Sequence, residues 1–519
     1  MNTATLLLNQ VSTRPDALAL IETVGGRDKV FSFAQLDEDS AWVAGMFFAH
    51  GLRPGHTALV FVPMSIELYI VLVALFRLGV VAMFLDPSAG TAHIEACCAL
   101  RAPDAFIGTG KAHLLRFVSP ALRRIPLKVS VGGFPVPGAL QWHNYGHYES
   151  HTEIFPADEN TPALLTFTSG STGQPKAAVR THGLLAAQHR SLAESLHLQP
   201  GEIDLTTLPI FVLANLASGV TSVIPAGDLR RPGAVHVAPI RAQIARLRPT
   251  RAAASPAFFE RLLEDGAPLP LFRHIYTGGA PVFPALLDAL TAATEPGAEI
   301  VAVYGSTEAE PIAHIARSEM SEGDIADMAN GKGLLAGQPV PDIALRILPD
   351  AWGTPLGPFT TAEFERLCLP IEQPGEIVVS GDHVLPGYLN GQGEAETKFR
   401  VGDAVWHRTG DGGYRDKTGR LWLLGRCGAR IVDDRGTLYP FAVECAARRN
   451  LAVRRVAVVS HKARRLLIVE GKNIDTAALK AALDWAKLDE VRVWDKLPVD
   501  KRHNAKIDYP ALRRRLDGR

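Results

Sequence analysis

The chain has 519 residues, too many for one hydrophobic core and enough for two or three domains. Its 54 lysines and arginines balance 54 acidic residues, so the overall charge indicates neither a nucleic-acid-binding protein nor a protein of anionic membranes. The five cysteines show no zinc-ligand spacing, and the adjacent Cys97 and Cys98 suit no simple disulfide framework. Because the N-terminus lacks a signal-peptide pattern, we expect a cytoplasmic protein with reduced, buried thiols.

Strands and helices alternate in the first part of the chain, as in the βαβ units of a parallel sheet. Ser32 or its neighbour caps a long amphipathic helix that extends to His50. The most apolar stretch, 66–85, contains Glu67 and Arg77, which is typical of a buried helix followed by a strand rather than of a membrane span. The predicted elements are helix 6–14, strand 17–23, helix 32–50, strand 57–62, helix 65–78, and strands 80–85, 105–107 and 127–131.

A run rich in hydroxyl groups and glycines follows the apolar residues 163–165. It comprises Thr168, Ser169, Gly170, Ser171, Thr172, Gly173, Gln174, Pro175 and Lys176. Glycines allow close approach to a ligand, hydroxyl and N–H groups form an anion nest, and lysine adds a compact charge. The run differs from a P-loop because no Ser or Thr follows Lys176 and a strand, not a helix, is predicted next. A phosphate-binding loop and an ordinary surface turn both remain open.

The next part of the chain repeats the α/β alternation, and the part after it is rich in strands. Beyond 425–428, where a boundary is predicted, a small α+β unit ends in Arg513, Arg514 and Arg515, a pattern typical of a solvated helix end. The predicted elements are helix 184–196, strand 205–208, helix 240–246, strand 251–254, helix 256–263, strand 274–276, helix 284–294, strand 300–303, the strand-rich segment 344–425, helix 441–448, strands 453–460 and 465–470, and helix 476–485.

Polar groups follow the predicted strand 300–303, at the kind of strand end where ligands of open α/β sheets gather. Tyr304, in the run Val303-Tyr304-Gly305-Ser306-Thr307-Glu308, can stack on a base, and Glu308 can hold Mg²⁺, which needs only one or two carboxylates. A solvated turn explains the same run. Asp411, in Arg408-Thr409-Gly410-Asp411, can accept hydrogen bonds from ribose hydroxyls, although such a tripeptide alone is weak evidence.

Taken together, these motifs resemble those of the adenylate-forming superfamily, which includes acyl-CoA synthetases, luciferases and peptide-synthetase adenylation domains. Five motifs occur in that family's order between 166 and 506. The resemblance implies an α/β fold with a large N-terminal domain, 1–425, made of two parallel α/β subdomains and a β subdomain. A small, mobile α+β C-terminal domain, 426–519, would act as a lid. It also implies ATP and Mg²⁺ as cofactors.

The resemblance further assigns roles to individual residues. Lys176 would contact the β- and γ-phosphates, Glu308 would hold Mg²⁺, and Lys506 would be the catalytic lysine, although the family usually has glycine where Ala505 stands. The residues assigned to ATP are Thr168, Ser169, Gly170, Ser171, Thr172, Gly173, Lys176, Gly279, Ala280, Pro281, Tyr304, Gly305, Ser306, Thr307, Asp411 and Arg426. For residues 277–281, a Gly-Pro turn into the next helix is an equally good interpretation.

Two departures separate this sequence from common CoA ligases. The segment 208–213 has no histidine after Leu-Pro, and the hinge segment 427–430 lacks the usual lysine or aspartate. These segments are similar to the β-lactone synthetases of bacterial long-chain olefin biosynthesis, and the similar stretches are 208–225, 255–257, and 498–500 with 502–507. That similarity implies a β-hydroxy acid whose own hydroxyl closes the ring. The substrate-pocket residues are then Phe211, Val212 and Gly278; an apolar core helix or strand equally explains the run 210–214.

Other functions are compatible with the sequence. An acyl-CoA or acyl-carrier ligase would form a thioester instead of a lactone, and a non-catalytic relative would only bind the nucleotide. His503 and Glu310 are candidate bases for ring closure. We expect a small carboxylic acid as substrate, association with other enzymes of the same pathway, and no nucleic-acid partner, since no basic stripe is present.

Overall fold

The computed structural model describes residues 1–133, 135–169, 175–450, 452–499 and 507–518. The chain forms two compact units. The first consists of Met1–Leu229, Ala238–Arg251 and Asp382–Glu394, and the second of Arg230–Val237, Ala252–Gly381 and Ala395–Arg519.

The first unit is built from alternating strands and helices. Its helices are α1 (Thr3–Leu7), α2 (Phe33–Ala49), α3 (Ile66–Arg77), α4 (Thr91–Leu100), α5 (Gly110–His113), α6 (Pro120–Arg124), α7 (His182–Ser195), α8 (Pro209–Ser218) and α9 (Val237–Leu247). Its strands are β1 (Leu18–Val24), β2 (Arg27–Ser32), β3 (Thr57–Phe61), β4 (Val81–Phe84), β5 (Ala105–Thr109), β6 (Leu127–Val131), β7 (Leu140–Gln141), β8 (Pro162–Ser169), β9 (Pro175–Thr181), β10 (Ile203–Thr206) and β11 (Thr221–Ile224).

Parallel pairing dominates both sheets of the first unit. One sheet has the order β7-β6-β5-β3-β4-β8-β9, and its strands are parallel except for the antiparallel pair β8–β9. In the other, β10, β11 and β1 pair in parallel and β2 adds an antiparallel edge. The α/β fold predicted from the alternation is therefore confirmed.

Helix α3 lies in the main core of the first unit, as its apolar sequence predicts. Nearly all of its residues are buried, including Arg77, which donates to the carbonyl of Thr152 at 2.6 Å and pairs with Asp37. The hydrogen bond to Thr152 and the ion pair with Asp37 offset the desolvation cost of burying the Arg77 guanidinium. In the described part of the chain, no helix combines the length and apolar character needed to cross a membrane.

The N-terminal helix is shorter than the predicted helix 6–14. Helix α1 ends at Leu7, and a 3₁₀ turn, Asn9–Val11, follows. The cap is Asn2, whose side-chain oxygen accepts from the N–H of Ala4 at 2.8 Å while its amide donates to the carbonyls of Phe76 and Phe155. Tertiary hydrogen bonds therefore fix where this helix begins.

The second unit begins with α/β elements and becomes rich in strands. Its strands are β12 (Arg251–Ala254), β13 (His274–Gly278), β14 (Glu299–Ser306), β15 (Ala309–Ala316), β16 (Leu334–Pro339), β17 (Ala344–Leu348), β18 (Gly375–Ser380), β19 (Lys398–Val401), β20 (Ala404–Arg415), β21 (Leu421–Arg426), β22 (Ile431–Asp433), β23 (Gly436–Leu438), β24 (Val453–His461), β25 (Arg464–Gly471) and β26 (Glu490–Trp494). Its helices are α10 (Pro256–Leu263), α11 (Pro284–Ala293), α12 (Glu322–Ala329), α13 (Thr361–Leu367), α14 (Glu394–Thr397), α15 (Pro440–Ala447), α16 (Thr476–Ala482) and α17 (Tyr509–Leu516).

The pairing in the second unit changes from parallel to antiparallel along the sheet. Strands β13 and β14 are parallel, whereas β14–β15, β15–β16, β16–β21, β21–β20, β20–β18 and β18–β17 are antiparallel. The strand-rich segment predicted at 344–425 corresponds to β17–β21. Its long strand β20 carries the predicted ribose-binding residue.

A separate sheet, β24-β25-β26, lies in the C-terminal part of the second unit. Alternate residues of its strands point to opposite faces. Val456, Val458 and Leu467 share one core with residues of α15 and α16, and Val459 and Leu466 share another with Leu512 of α17. The sheet is therefore covered on both faces, which explains its nearly continuous apolar strands.

Candidate active site

The predicted phosphate loop lies at the turn of the antiparallel hairpin β8–β9. Thr168 pairs with Lys176 and Ser169 with Pro175, so a strand precedes and a strand follows the loop. This confirms that the motif is not a P-loop, in which a helix would follow. Gly170, Ser171, Thr172 and Gly173 lie outside the described residues, and their predicted roles stay predictions.

Lys176 is buried, with 5% of its surface exposed, and its side chain passes through a narrow slot in the first unit. The ammonium nitrogen lies 6.0 Å from the ring centre of Tyr388, a cation–π distance. A Cβ atom at Gly393, where φ is +84°, would lie 2.3 Å from Cε of Lys176. The backbone conformation favours glycine at 393, and a larger residue there would displace the end of the Lys176 side chain. The motif search missed it, since a lone glycine in a loop carries no signal for a contact so distant in sequence.

Asp411 and Arg426 face each other across strands β20 and β21 of the second unit. The Nε atom of Arg426 lies 3.3 Å from Oδ1 of Asp411, and its Nη1 donates to the carbonyl of Thr409 at 3.0 Å. The hydroxyl of Tyr304 donates to Oδ2 of Asp411 at 2.8 Å. Three residues chosen from separate motifs therefore meet at one carboxylate.

Charge and burial act together on this cluster. Burial, then the Asp411 carboxylate, raises the pKa of the Tyr304 phenol well above its ordinary value, so the hydroxyl keeps its proton and donates. The negative charge of Asp411 raises the pKa of Arg426, and the charge of Glu308 adds to the effect. Glu308 therefore lies within electrostatic reach of the Asp411–Arg426 pair.

A buried ion pair holds the strand that presents Asp411. Arg408 donates to both carboxylate oxygens of Glu376, at 2.8 and 2.6 Å, and to the carbonyl of Thr354 at 2.6 Å. Both charged side chains are fully buried. Trp352 stacks on Arg408 at 5.3 Å, and a Cβ at Gly410, where φ is +70°, would lie 2.8 Å from its ring. The roles of Glu376 and Trp352 were not found from the sequence, because neither lies near a motif.

The segment 304–308 was expected to follow a strand, and this boundary is wrong. Strand β14 extends through Ser306 because β15 pairs back against it, with a register shift between Tyr304 and Ser306. Thr307 and Glu308 form the turn, where the N–H of Glu308 donates to the Ser306 hydroxyl at 3.3 Å. The backbone of Tyr304 is thus held by the pairing of β14 with β15, and Glu308 lies on the turn between these two strands.

Gly278 ends β13 beside β14. It pairs with Val303, and a Cβ at Gly278 would lie 2.7 Å from the carbonyl oxygen of Val303. At Gly279, with φ of +78°, a Cβ atom would have no described residue except its chain neighbours within 4 Å. The segment Gly279, Ala280 and Pro281 therefore follows the carboxyl end of one parallel strand, next to the strand that carries Tyr304.

The remaining predicted residues lie elsewhere in the described chain or outside it. Phe211 and Val212 are buried on α8 of the first unit, and Val212 belongs to the main core. The run 210–214 is thus a helix, and a contact with substrate stays a prediction. Glu310 lies on β15. His503 and Lys506 fall outside the described residues.

The hinge segment is tied to the preceding β-rich region by one aspartate. Oδ1 of Asp350 accepts from Arg430 at 2.5 Å, and Oδ2 accepts from the Tyr439 hydroxyl at 3.0 Å. Cys427 is fully buried, and burial followed by the Asp350 charge raises the pKa of its thiol. The thiol is therefore protonated at neutral pH and is not a nucleophile.

The fold is α/β, and this cluster lies where carboxyl ends of strands gather, the usual place for a ligand in such sheets. The chain belongs to the AMP-binding enzyme family, whose model matches residues 7–389. It is an adenylate-forming enzyme, as the motifs predict, and enzymes of this class use ATP.

Two similar relatives match almost the full length of the chain. The olefin beta-lactone synthetase of Stenotrophomonas maltophilia is 32% identical over 551 residues, covering 98% of this chain and 97% of that protein. The enzyme of the same name from Xanthomonas campestris is 32% identical over 547 residues, with 98% and 96% covered. A 2-succinylbenzoate–CoA ligase of Bacillus subtilis is 27% identical, with 87% and 84% covered.

Solved structures confirm the fold. The anthranilate CoA ligase AuaEII in complex with anthranoyl-AMP matches with a TM-score of 0.81 at 18% identity, over 100% of this chain and 97% of that one. ATP-bound MatB from Rhodopseudomonas palustris matches with a TM-score of 0.78 at 20% identity, over 99% and 98%. At such identities the likeness concerns the fold.

Proposed function

We propose that this enzyme activates a long-chain β-hydroxy acid and closes it to a β-lactone. The observation that carries the proposal is the 32% identity, over 98% of the chain, to two olefin beta-lactone synthetases. The departures at 208–213 and 427–430 support it, since ring closure needs no external thiol. The substrate carboxylate attacks the α-phosphorus of ATP and pyrophosphate leaves. The β-hydroxyl oxygen then attacks the acyl carbon, AMP leaves, and the hydroxyl proton passes to a base.

Different described residues would contact different parts of the bound ATP. Asp411 offers carboxylate oxygens to ribose hydroxyls, and its Arg426 and Tyr304 partners fix their direction. Lys176, with its buried stem, would meet the β- and γ-phosphates. Lys506 would contact the substrate carboxylate and the α-phosphate, where charge develops as pyrophosphate leaves. We assign it to a mobile lid, 426–519, that closes on the domain 1–425.

The residues also fit a magnesium ion. In the described part of the chain, no group of three or more acidic, histidine or cysteine side chains is gathered for a metal. Mg²⁺ is commonly held by one or two carboxylates together with substrate phosphates, and Glu308 offers such a carboxylate on an accessible turn. The ion would neutralise phosphate charge, while the protein positions the reacting oxygen atoms.

A product assay tests the proposal directly. Purified enzyme is given ATP, Mg²⁺ and a racemic long-chain β-hydroxy acid, with and without CoA, and products are identified by mass spectrometry and NMR. We expect a β-lactone and AMP without CoA. The matched control is the same acid lacking the β-hydroxyl, which should form an adenylate and no lactone.

A thioester formed only when CoA is present would contradict the proposal and identify the enzyme as a ligase of the type represented by the Bacillus subtilis relative. Absence of AMP release with every acid of a broad panel would instead indicate a nucleotide-binding protein without activity. We further propose a cytoplasmic location and association with other enzymes of the same pathway. The free cysteines Cys97, Cys98, Cys368, Cys427 and Cys445 are consistent with a reducing compartment.

A further inference from the structure

An apolar and cationic projection lies on the surface of the first unit, in a segment that belongs to none of the sequence motifs discussed above. Leu114, Phe117 and Val118 expose 61%, 78% and 59% of their surfaces. They lie within five consecutive positions, whereas the other large hydrophobic residues exposed in the described chain are mostly scattered singly along it. Clustered exposed apolar groups indicate an interaction site, while isolated ones need no explanation.

Buried, hydrogen-bonded residues on both sides of the projection fix its backbone to the rest of the first unit. Nε2 of His113 donates to the carbonyl of Val129 at 3.0 Å, and its ring packs against Phe106 at 4.7 Å between ring centres. Ser119 is fully buried and bonds to Glu95, which also accepts from the N–H of Ala121 at 3.1 Å. Between these anchors, a 3₁₀ turn covers Leu114–Phe117. Residues three apart on such a turn eclipse, so Leu114 and Phe117 project together.

Positive charge surrounds these apolar side chains. Segment 110–128 contains Lys111, Arg116, Arg123, Arg124 and Lys128 and no acidic residue, although the whole chain has zero net charge. Arg123 donates to the carbonyls of Arg116 and Phe117 at 3.2 and 3.1 Å, which fixes a guanidinium beside the projection. Burial and then the charge of Arg116 lower the pKa of Lys128, so Arg116 and Lys128 lie within electrostatic reach of each other. The nearby acid, Glu95, is engaged in capping the following helix.

We propose that Leu114, Phe117 and Val118, with the surrounding lysines and arginines, dock this enzyme reversibly on an anionic phospholipid bilayer. The aromatic and aliphatic side chains would enter the acyl-chain boundary, and the cations would meet lipid phosphates. The charge complementarity favours a lipid surface over an apolar protein groove. A small convex projection also needs no matching cavity in a fluid bilayer. The inference is independent of the product that the active site makes.

Vesicle flotation tests the proposal with the full-length enzyme. Phosphatidylcholine vesicles with and without phosphatidylglycerol are compared at low and high salt. We expect binding only to the anionic vesicles and a decline with salt, because surface charges are screened. Phe117→Asp should weaken binding roughly tenfold or more, since it replaces an inserted ring with a negative charge that the anionic lipids repel. Arg124→Glu should weaken binding to a smaller extent.

Two matched variants control for the changes in composition. Ile371→Asp replaces another exposed hydrophobic residue, 57% exposed, in the second unit. Lys472→Glu reverses an exposed charge elsewhere. Both should bind as the wild type does, and all variants should unfold at the wild-type temperature. Failure of the wild type to float with anionic vesicles at low salt would overturn the proposal. If the wild type does not bind vesicles and Phe117→Asp changes the oligomeric state of the enzyme in solution, the proposal is also overturned. That result would identify a contact between protein chains instead.

Discussion

Two buried glutamates in the second unit show how differently its β-rich region and its C-terminal part treat charge. Glu376 accepts two hydrogen bonds from Arg408, and both side chains are fully buried. Glu444 accepts instead from the Tyr509 hydroxyl and from the N–H of Val458 at 3.0 Å. Burial raises the pKa of Glu444 to about 7. One carboxylate faces a permanent cation and the other faces neutral donors.

The difference concerns what each region must hold in place. The bidentate Arg408–Glu376 pair fixes strand β20, and with it Asp411, in one register. The hydrogen bonds that Glu444 accepts within the described chain come from neutral groups, so its charged form is costly there. Burial raises the pKa of Glu376 too, but there the Arg408 cation opposes the shift. The first region is therefore held by an ion pair, whereas we expect the packing of the second to depend on pH.

Breaking the buried ion pair should have the largest effect. We expect Glu376→Ala to lower the free energy of unfolding by about 3–5 kcal/mol, because it leaves Arg408 charged and buried without its partner. Chemical denaturation measures the change. Glu365→Ala is the control, because Glu365 forms an exposed pair with Arg346 at 3.3 Å and should cost about 0–1 kcal/mol. Equal losses in the two variants would show that the buried pair has no special role.

Removing the predicted catalytic lysine tests the role of the C-terminal part. We expect Lys506→Ala to lower kcat for adenylate formation by about 10²–10³-fold, since it removes a charge aimed at the transition state. Pyrophosphate exchange into ATP measures the rate. Lys501→Ala, in the same basic segment, should retain most of the activity. Normal exchange by Lys506→Ala would remove this residue from the mechanism.

The titration of Glu444 should make stability depend on pH. Its pKa is raised from 4.5 to about 7, so the folded state binds more protons than the unfolded state between these values. Stability therefore falls as pH rises toward and through about 7, by about 3 kcal/mol in total. Unfolding curves from pH 5 to 8.5 measure the slope. The curve of Glu444→Gln should lack this contribution, and parallel curves would contradict the assignment.

Asp411→Asn tests whether the β-rich region binds the ribose of ATP. We expect the KM for ATP to rise about 10- to 100-fold with a smaller change in kcat, because a charged acceptor of ribose hydroxyls is lost. Steady-state release of pyrophosphate measures both constants. Tyr304→Phe, which removes only the 2.8 Å hydrogen bond to Asp411, should have a weaker effect. An unchanged KM in Asp411→Asn would place the ribose elsewhere.

Local features of the fold were readable from the sequence because their causes are local. Ser32 caps α2 with a reciprocal bond to Gln35, and a serine three residues before a glutamine predicts this arrangement. The apolar run at 66–77 likewise predicts the buried helix α3. At the site, Tyr304, Asp411 and Arg426 were predicted from three motifs, and the structure brings them together.

Long-range pairing was not readable in the same way. The extension of β14 through Ser306 depends on β15, and the contact of Gly393 with Lys176 depends on a segment more than two hundred residues away. Glu376 lies in an apolar strand, where nothing local identifies Arg408 as its partner. Such contacts are set by tertiary structure, which single-sequence patterns do not encode.

The burial of the cysteines has a practical consequence for following movements in this enzyme. Cys97, Cys98, Cys427 and Cys445 are buried, and Cys368 is half-buried, in each case with a raised thiol pKa. The thiolate is the form of cysteine that attacks electrophilic maleimides, so the native chain should react slowly with maleimide dyes. After replacement of Cys368 alone, cysteines introduced at chosen surface positions would accept a fluorophore pair selectively, and energy transfer between the dyes would test whether the proposed lid closes during turnover.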